Sequence, residues 1–251
     1  MAAKIGIQLY SVRDQLAQGF EAPVRKIADL GYAGVEPAGF PGTTPEAAGK
    51  LFRQLKLEVP SAHSGLPIGD HKNEVLDAMR AIGCRRIISG FGPDAFQTLD
   101  KIKASCDTFN QAAAAAQAAG MQFGIHNHWW EFQAVEGQPV YKTMLKHLSA
   151  DVFFEVDTYW ARTAGADPAA AVRELGARAP ILHIKDGPGV QGQHHTAVGD
   201  GIMDFPAIAK ASAKTAEWWV VELDSCATDM MEAAAKSYAY LTREKLAKGT
   251  R

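Results

Sequence analysis

Short apolar runs alternating eight times with helical stretches predict an α/β fold: a (β/α)8 barrel filling residues 1–251 as one domain. Three observations carry that prediction. The chain has 251 residues, close to the roughly 250 that one such barrel uses. The eight runs are too short for helices and lack strict polar alternation, as strands buried on both faces of a parallel sheet do. No Pro/Ser-rich hinge or charge run interrupts the alternation, and a closed barrel leaves no strand edge exposed. A doubly wound open sheet is the alternative, but no G-x-G-x-x-G follows the first run.

The elements follow in order. Lys4–Leu9 (KIGIQL) is the first strand. Phe20–Leu30 reads as a helix with Val24, Ile27 and Leu30 on one face, stopped by Gly31. Gly34–Pro37 is the second strand. Thr44 as N-cap and Pro45 at the first helical position start a helix to Leu55. Glu58–His63 is the third strand, Lys72–Ile82 a helix and Arg86–Ser89 the fourth strand. Ala95–Ala119 is a helix strengthened by the alanine-rich run from Ala112. Gln122–His126 is the fifth strand, Val140–Leu148 a helix and Val152–Asp157 the sixth strand. Asp167 caps a helix over Pro168–Ala177, and Ile181–Lys185 is the seventh strand. Asp204 caps Phe205–Ser212, Trp218–Glu222 is the eighth strand, and Thr228–Lys248 closes the chain. Gly31, Gly83, Gly120 and Gly176 each stand between helix and strand, where a left-handed residue is expected.

Composition narrows the function classes. Lys+Arg 26 against Asp+Glu 28 gives a net charge of -2, so there is no basic excess for a nucleic acid partner. No apolar stretch is long enough for a membrane span, and the first residues do not read as a secretory signal. Cys84, Cys106 and Cys226 have no C-x-x-C spacing and are expected as free thiols of a cytoplasmic protein. Nothing in the sequence argues against a homo-oligomer.

In a barrel of this kind the chemistry belongs at the C-terminal ends of strands. There the sequence places Glu36, His63, His126 with His128 and Glu131 just beyond, Asp157, His183 with Lys185, and Glu222 with Asp224. Charges at the ends of buried strands need partners or a cation. Asp157, His183 and Glu222 end three consecutive strands on the inward parity. With a third carboxylate they make a hard O/N set suited to one divalent ion such as Mn, Mg, Co, Fe or Zn. Glu155 shares that parity one layer deeper, which suggests packing or support of a ligand. Trp129, Trp130 and Trp160 suggest the aromatic wall of a sugar pocket. His194 and His195 lie in a Gly-rich loop and are expected to be solvated or, at most, to face the substrate.

The phrases KIGIQLYSVRD, GVEPAG, FGIHNHWWEF, EVDTYWA, HIKD, VGDGIMDF and VVELD together resemble the sugar phosphate isomerase/epimerase family of xylose isomerase-like TIM barrels, over nearly the whole chain. The resemblance implies one divalent metal held by two Glu, one Asp and one His, and a small keto-sugar or polyol substrate. Carried over, the ligands are Asp157, His183 and Glu222. Where family epimerases often have a Glu on the fifth strand, this chain has His126, so Glu131 is expected as ligand, base or both. Glu131 and Glu222 are then the proton-transfer pair on an enediolate pathway, assisted by Lys185 and His63. Glu36, His126, His128, Trp129, Trp160 and His195 are expected to contact substrate. A dehydratase or lyase acting on a keto-polyol or keto-glycoside could use the same residues. An endonuclease IV-like nuclease would need a basic groove and more ligands, and a sugar-binding protein would not need ionisable ligands. The loops after the seventh and eighth strands carry Asp186, Asp200, Asp204, Asp224 and Asp229 with no Lys or Arg, so an unphosphorylated substrate is expected.

Overall fold

In a computed structural model, residues 2–251 are described. Eight strands form one parallel sheet: β1 (Lys4–Gln8), β2 (Gly34–Glu36), β3 (Ala62–His63), β4 (Arg86–Ser89), β5 (Gln122–His126), β6 (Phe153–Asp157), β7 (Ile181–Ile184) and β8 (Trp218–Val221). Neighbours run β2-β1-β8-β7-β6-β5-β4-β3. The end strands meet only through single bridges, Gly34 to Glu58 and Ala38 to His63. The barrel is therefore nearly closed, with a weak seam between β2 and β3.

The helices are α1 (Arg13–Gln18), α2 (Glu21–Leu30), α3 (Pro45–Gln54), α4 (Lys72–Ile82), α5 (Leu99–Ala118), α6 (Val140–His147), α7 (Thr158–Thr163), α8 (Pro168–Leu175), α9 (Phe205–Ser212) and α10 (Met230–Arg243). The expected caps are present. Thr44 accepts from Ala47 N, Asp167 from Ala169 N and Asp204 from Ala207 N. None of these helices is long and apolar enough to cross a membrane, and the three cysteines are free.

Some boundaries differ from the sequence reading. The third strand shrinks to two residues because Pro60 offers no N–H to a ladder; Glu58 and His63 pair on either side of it instead. The Ala95–Ala119 helix is divided. Pro93–Phe96 forms a 3-10 turn, and Thr98 caps a fresh start by accepting from Lys101 N. Asp229 likewise delays the last helix to Met230. Gly31, Gly83 and Gly120 have positive φ as expected, but Gly176, at φ 54 and ψ -124, leads into a 3-10 turn.

Side-chain parity separates two apolar layers. Outward residues such as Ile5, Ile7, Ile125, Val156, Leu182 and Val221 pack against the helices. Ala33, Ile88, Phe153, Ile181, Trp218 and Val220 form a separate inner cluster. Glycine makes room for its large rings: a Cβ on Gly34 would lie 2.9 Å from the Trp218 indole and 2.6 Å from Glu58 O, and one on Gly124 would strike the Phe153 ring. This plug closes the lower barrel, so the next inward positions along the strands form the floor of an open mouth.

Candidate active site

The row above the plug is polar. Gln8, Glu36, His126, Glu155, Asp157, His183, Lys185 and Glu222 are all buried there, each on the inward parity of its strand or one step past its end. Ligand atoms of His126, Asp157, His183 and Glu222 lie within 4.8 Å of one another. His183 Nδ1 is 2.7 Å from Glu222 Oε2, and His126 Nε2 is 3.4 Å from Asp157 Oδ2. Asn127 fixes Asp157 from both sides: its Oδ1 accepts from Asp157 N at 2.9 Å and its Nδ2 donates to Asp157 O at 3.1 Å. Asp157 Oδ1 accepts from Trp160 N, capping α7.

Glu36, His63, Glu155 and His183 make a second close group. Its members are already paired. His63 Nε2 is 2.6 Å from Glu155 Oε2, and His183 Nε2 is 2.7 Å from Glu36 Oε1, which also accepts from Gln8 Nε2 at 2.7 Å. Ser61 Oγ donates to the other Glu36 oxygen. Burial opposes a charge on His63, but Glu155 and Glu36 outweigh it and raise the imidazole to about 10.

The first group suits a cation better. His126 Nε2 is buried without a hydrogen-bond partner, which is costly unless something is held there. Burial pushes the His126 imidazole down to about 4, leaving it neutral, as a ligand must be. His183 turns Nδ1 to this group while Nε2 faces Glu36, the carboxylate–imidazole pairing that orients a metal-binding histidine. Without a metal, Lys185 supplies the positive charge. Its Nζ lies 3.0 Å from Asp157 Oδ2, 2.8 Å from Glu222 Oε2 and 2.8 Å from Asp224 Oδ2. Burial disfavours the ammonium, but Asp157, Glu222 and Asp224 overcome it and keep Lys185 charged.

Above this floor opens a cavity of about 500 Å³ whose lining includes His63, His126, His128, Trp130, Lys185 and Glu222. Of the residues expected to act in catalysis, His63, Lys185 and Glu222 line it. Glu131 does not, and it stands outside the ligand group, where His126 occupies the expected position. It lies in a 3-10 turn beyond β5, with Oε2 accepting from His128 N at 2.8 Å and Oε1 unpaired. Burial raises its carboxyl to about 8.

Of the residues expected to contact substrate, His126 and His128 line the cavity. Glu36 does not, being fully buried behind His183. His195 is buried, with Nδ1 accepting from Asp224 N at 3.1 Å and its ring against Tyr159 and Trp160. Trp129 packs on Trp160, with centroids 5.0 Å apart, and its neighbour Trp130 faces the cavity. Gln8, Ser61 and Asn127 were not foreseen; of these only Gln8, a polar residue ending an apolar strand, carried a sequence signal. Asp186 also departs from expectation. It is buried, and its carboxylate accepts from the amides of Gly187, Gly199, Gly201 and Met203 at 2.9–3.2 Å.

The model of the family described as xylose isomerase-like TIM barrel matches residues 24–243. Two solved sugar phosphate isomerase/epimerase structures from Parabacteroides distasonis ATCC 8503 are similar to this chain. One has 25% identity and a TM-score of 0.85, covering 99% of this chain and 96% of that one. The other has 27% identity and a TM-score of 0.82, covering 98% and 100%. An L-ribulose 3-epimerase, at 19% identity and TM-score 0.72 over 97% and 95% of the two chains, shares the fold. Comparison with curated proteins gives no match.

Proposed function

We propose that this chain, which belongs to the xylose isomerase-like TIM barrel family, is a divalent-metal-dependent isomerase or epimerase of a small, unphosphorylated keto-sugar or polyol. The observation that carries the reading is the convergence of His126, Asp157, His183 and Glu222 below an open cavity, with ligand atoms within 4.8 Å of one another and His126 Nε2 left without a hydrogen bond. Two imidazoles beside two carboxylates favour Mn, Co, Fe or Zn over Mg, which prefers oxygen ligands. A divalent ion held there would supply the charge that acidifies the C–H beside a substrate carbonyl and stabilises the resulting enediolate.

The chain's own groups handle the protons. Glu222 and His63 both line the cavity, so each can meet a substrate carbon seated there. His63 Nε2 is held by Glu155 at 2.6 Å and Glu36 at 3.3 Å, which favour its charged form. Lys185 adds a fixed positive charge near the developing oxyanion. Trp130, stacked on His128 at 4.1 Å and lining the cavity, offers a flat face to the sugar. Phosphate is disfavoured because the glycine amides of the loop after β7 are committed elsewhere. Gly187, Gly199 and Gly201 donate to Asp186, and Gly189 donates to Tyr159 Oη.

Incubating metal-loaded protein in D2O with paired free and phosphorylated ketoses tests the reading. Deuterium should enter the α carbon of a free ketose, and exchange on a phosphorylated ketose alone would overturn the substrate assignment. Lys185 could also protonate a leaving hydroxyl, and loss of water without exchange into recovered substrate would favour dehydration instead.

A further inference from the structure

A second cavity, of about 850 Å³, opens on the same face of the barrel, between the loops after β2 and β3, the start of α3 and residues 74–79 of α4. We propose that it is a subsite for an uncharged apolar substituent, so that the substrate is a sugar joined to an aryl or alkyl group. The inference rests on the reading of the main cavity as a sugar site.

The two cavities share Ala38, His63 and Ser64, so a ligand in the first that extends past His63 enters the second. The space has a structural cause. At the seam β2 and β3 share only isolated bridges, and the loops beyond them carry small residues, Ala38-Gly39 and Ser64-Gly65. A Cβ on either glycine would meet nothing within 4 Å. Across the mouth the corresponding loops carry Trp129, Trp130, Tyr159 and Trp160, and that side is filled. The substituent therefore has one direction in which to extend.

The lining sets its chemistry. Phe40, Val75, Ala78 and Met79 supply apolar walls, as in pockets that hold the non-reacting part of a ligand. No Lys or Arg lines the cavity. Its carboxylates Glu46, Glu74 and Asp77 disfavour an anion, and Glu74 and Asp77 already pair with His71 and Arg80 on the solvent side. An uncharged ring or alkyl group fits these walls.

Calorimetric titration of the metal-loaded protein with matched methyl and phenyl glycosides of common hexoses and pentoses tests the proposal. For at least one sugar the phenyl compound should bind about tenfold more tightly, as expected for burying part of a ring. Ala78→Trp, which fills the cavity, should abolish that preference and leave methyl-glycoside affinity unchanged. Phe40→Ala, which removes a wall, should reduce the preference several-fold and serves if the first variant does not fold. Equal affinities across every pair, loss of methyl and phenyl binding alike in the variants, or no binding of any glycoside would overturn it. Exchange at the α carbon of unsubstituted ketoses reports on the sugar site separately. Exchange without a phenyl preference removes the subsite alone, and a phenyl preference without exchange removes the isomerase reading alone.

Discussion

Replacing Lys185 with Met should destabilise the metal-free protein and strengthen metal binding. The ammonium is fully buried and lies within 3.0 Å of Asp157 Oδ2 and Glu222 Oε2. Removing it takes the ammonium from buried Asp157 and leaves Glu222 with His183 alone, a loss of about 3–5 kcal/mol for a broken buried pair. For a chain of this size that is a fall of roughly 6–20 °C in Tm. The same substitution removes a positive charge from the edge of the proposed metal position. Unit charges about 4 Å apart repel by roughly 4 kcal/mol at an effective dielectric of about 20. A gain in Mn2+ or Co2+ affinity of about tenfold, 1.4 kcal/mol, lies well inside that figure. Thermal melts of wild type and variant with and without metal, with calorimetric titration of each, read both effects. Metal should restore most of the lost Tm. An unchanged melting point without metal, or a loss that metal does not reduce, would refute the view that ammonium and metal answer the same buried charge.

Asp157→Asn and His126→Ala should each take bound metal from about one ion per chain to none, by elemental analysis, while the barrel stays folded. Glu36→Gln should weaken metal binding about 10–100-fold by releasing His183 Nε2, a change that calorimetry reads directly. Glu131→Gln should leave metal content unchanged and alter the pH dependence of stability. The Glu131 carboxyl rises from 4.5 to about 8 on folding, so the folded chain keeps a proton that the unfolded chain has lost between those values. Wild-type stability therefore falls as pH rises through that window, and the stability advantage of the Gln variant in denaturant melts should grow from pH 5 to pH 9. Gly34→Ala should cost about 1–3 kcal/mol by crowding Trp218 and Glu58 O, visible as a lower Tm.

The fold was legible because each strand is a short, mainly apolar run without strict alternation and most helices carry their own caps. Thr44, Asp167 and Asp204 cap where the sequence placed them. Only Pro60 misled the reading of a strand, since a proline inside an apolar run hides how little ladder remains. In the site, parity was enough to bring Asp157, His183 and Glu222 together, because in parallel strands the last inward side chains converge. His126 also lies on that row in the structure, at the end of β5, whereas the resemblance implies a carboxylate for the fourth position and so points to Glu131 in the loop. Its turn away from the row is set by a 3-10 turn that no side-chain pattern announces. Glu36 lies deeper than its strand-end position suggests, because depth below the mouth depends on the register of β2 at the seam. Of the two tryptophans after β5, which one faces the cavity is likewise decided by loop geometry.

The glycine-backed plug has an evolutionary consequence. Gly34 and Trp218 stand 184 positions apart in the sequence, yet a Cβ on the first would meet the ring of the second at 2.9 Å. Gly124 and Phe153 are bound in the same way. Enlarging the glycine of such a pair crowds its partner's ring, so a smaller partner relieves part of the cost, although at Gly34 the Glu58 carbonyl at 2.6 Å remains in the way. Among relatives, a larger residue at position 34 should therefore accompany a smaller one at position 218. In the laboratory, Gly34→Ala combined with Trp218→Phe should cost less than the sum of the two single changes.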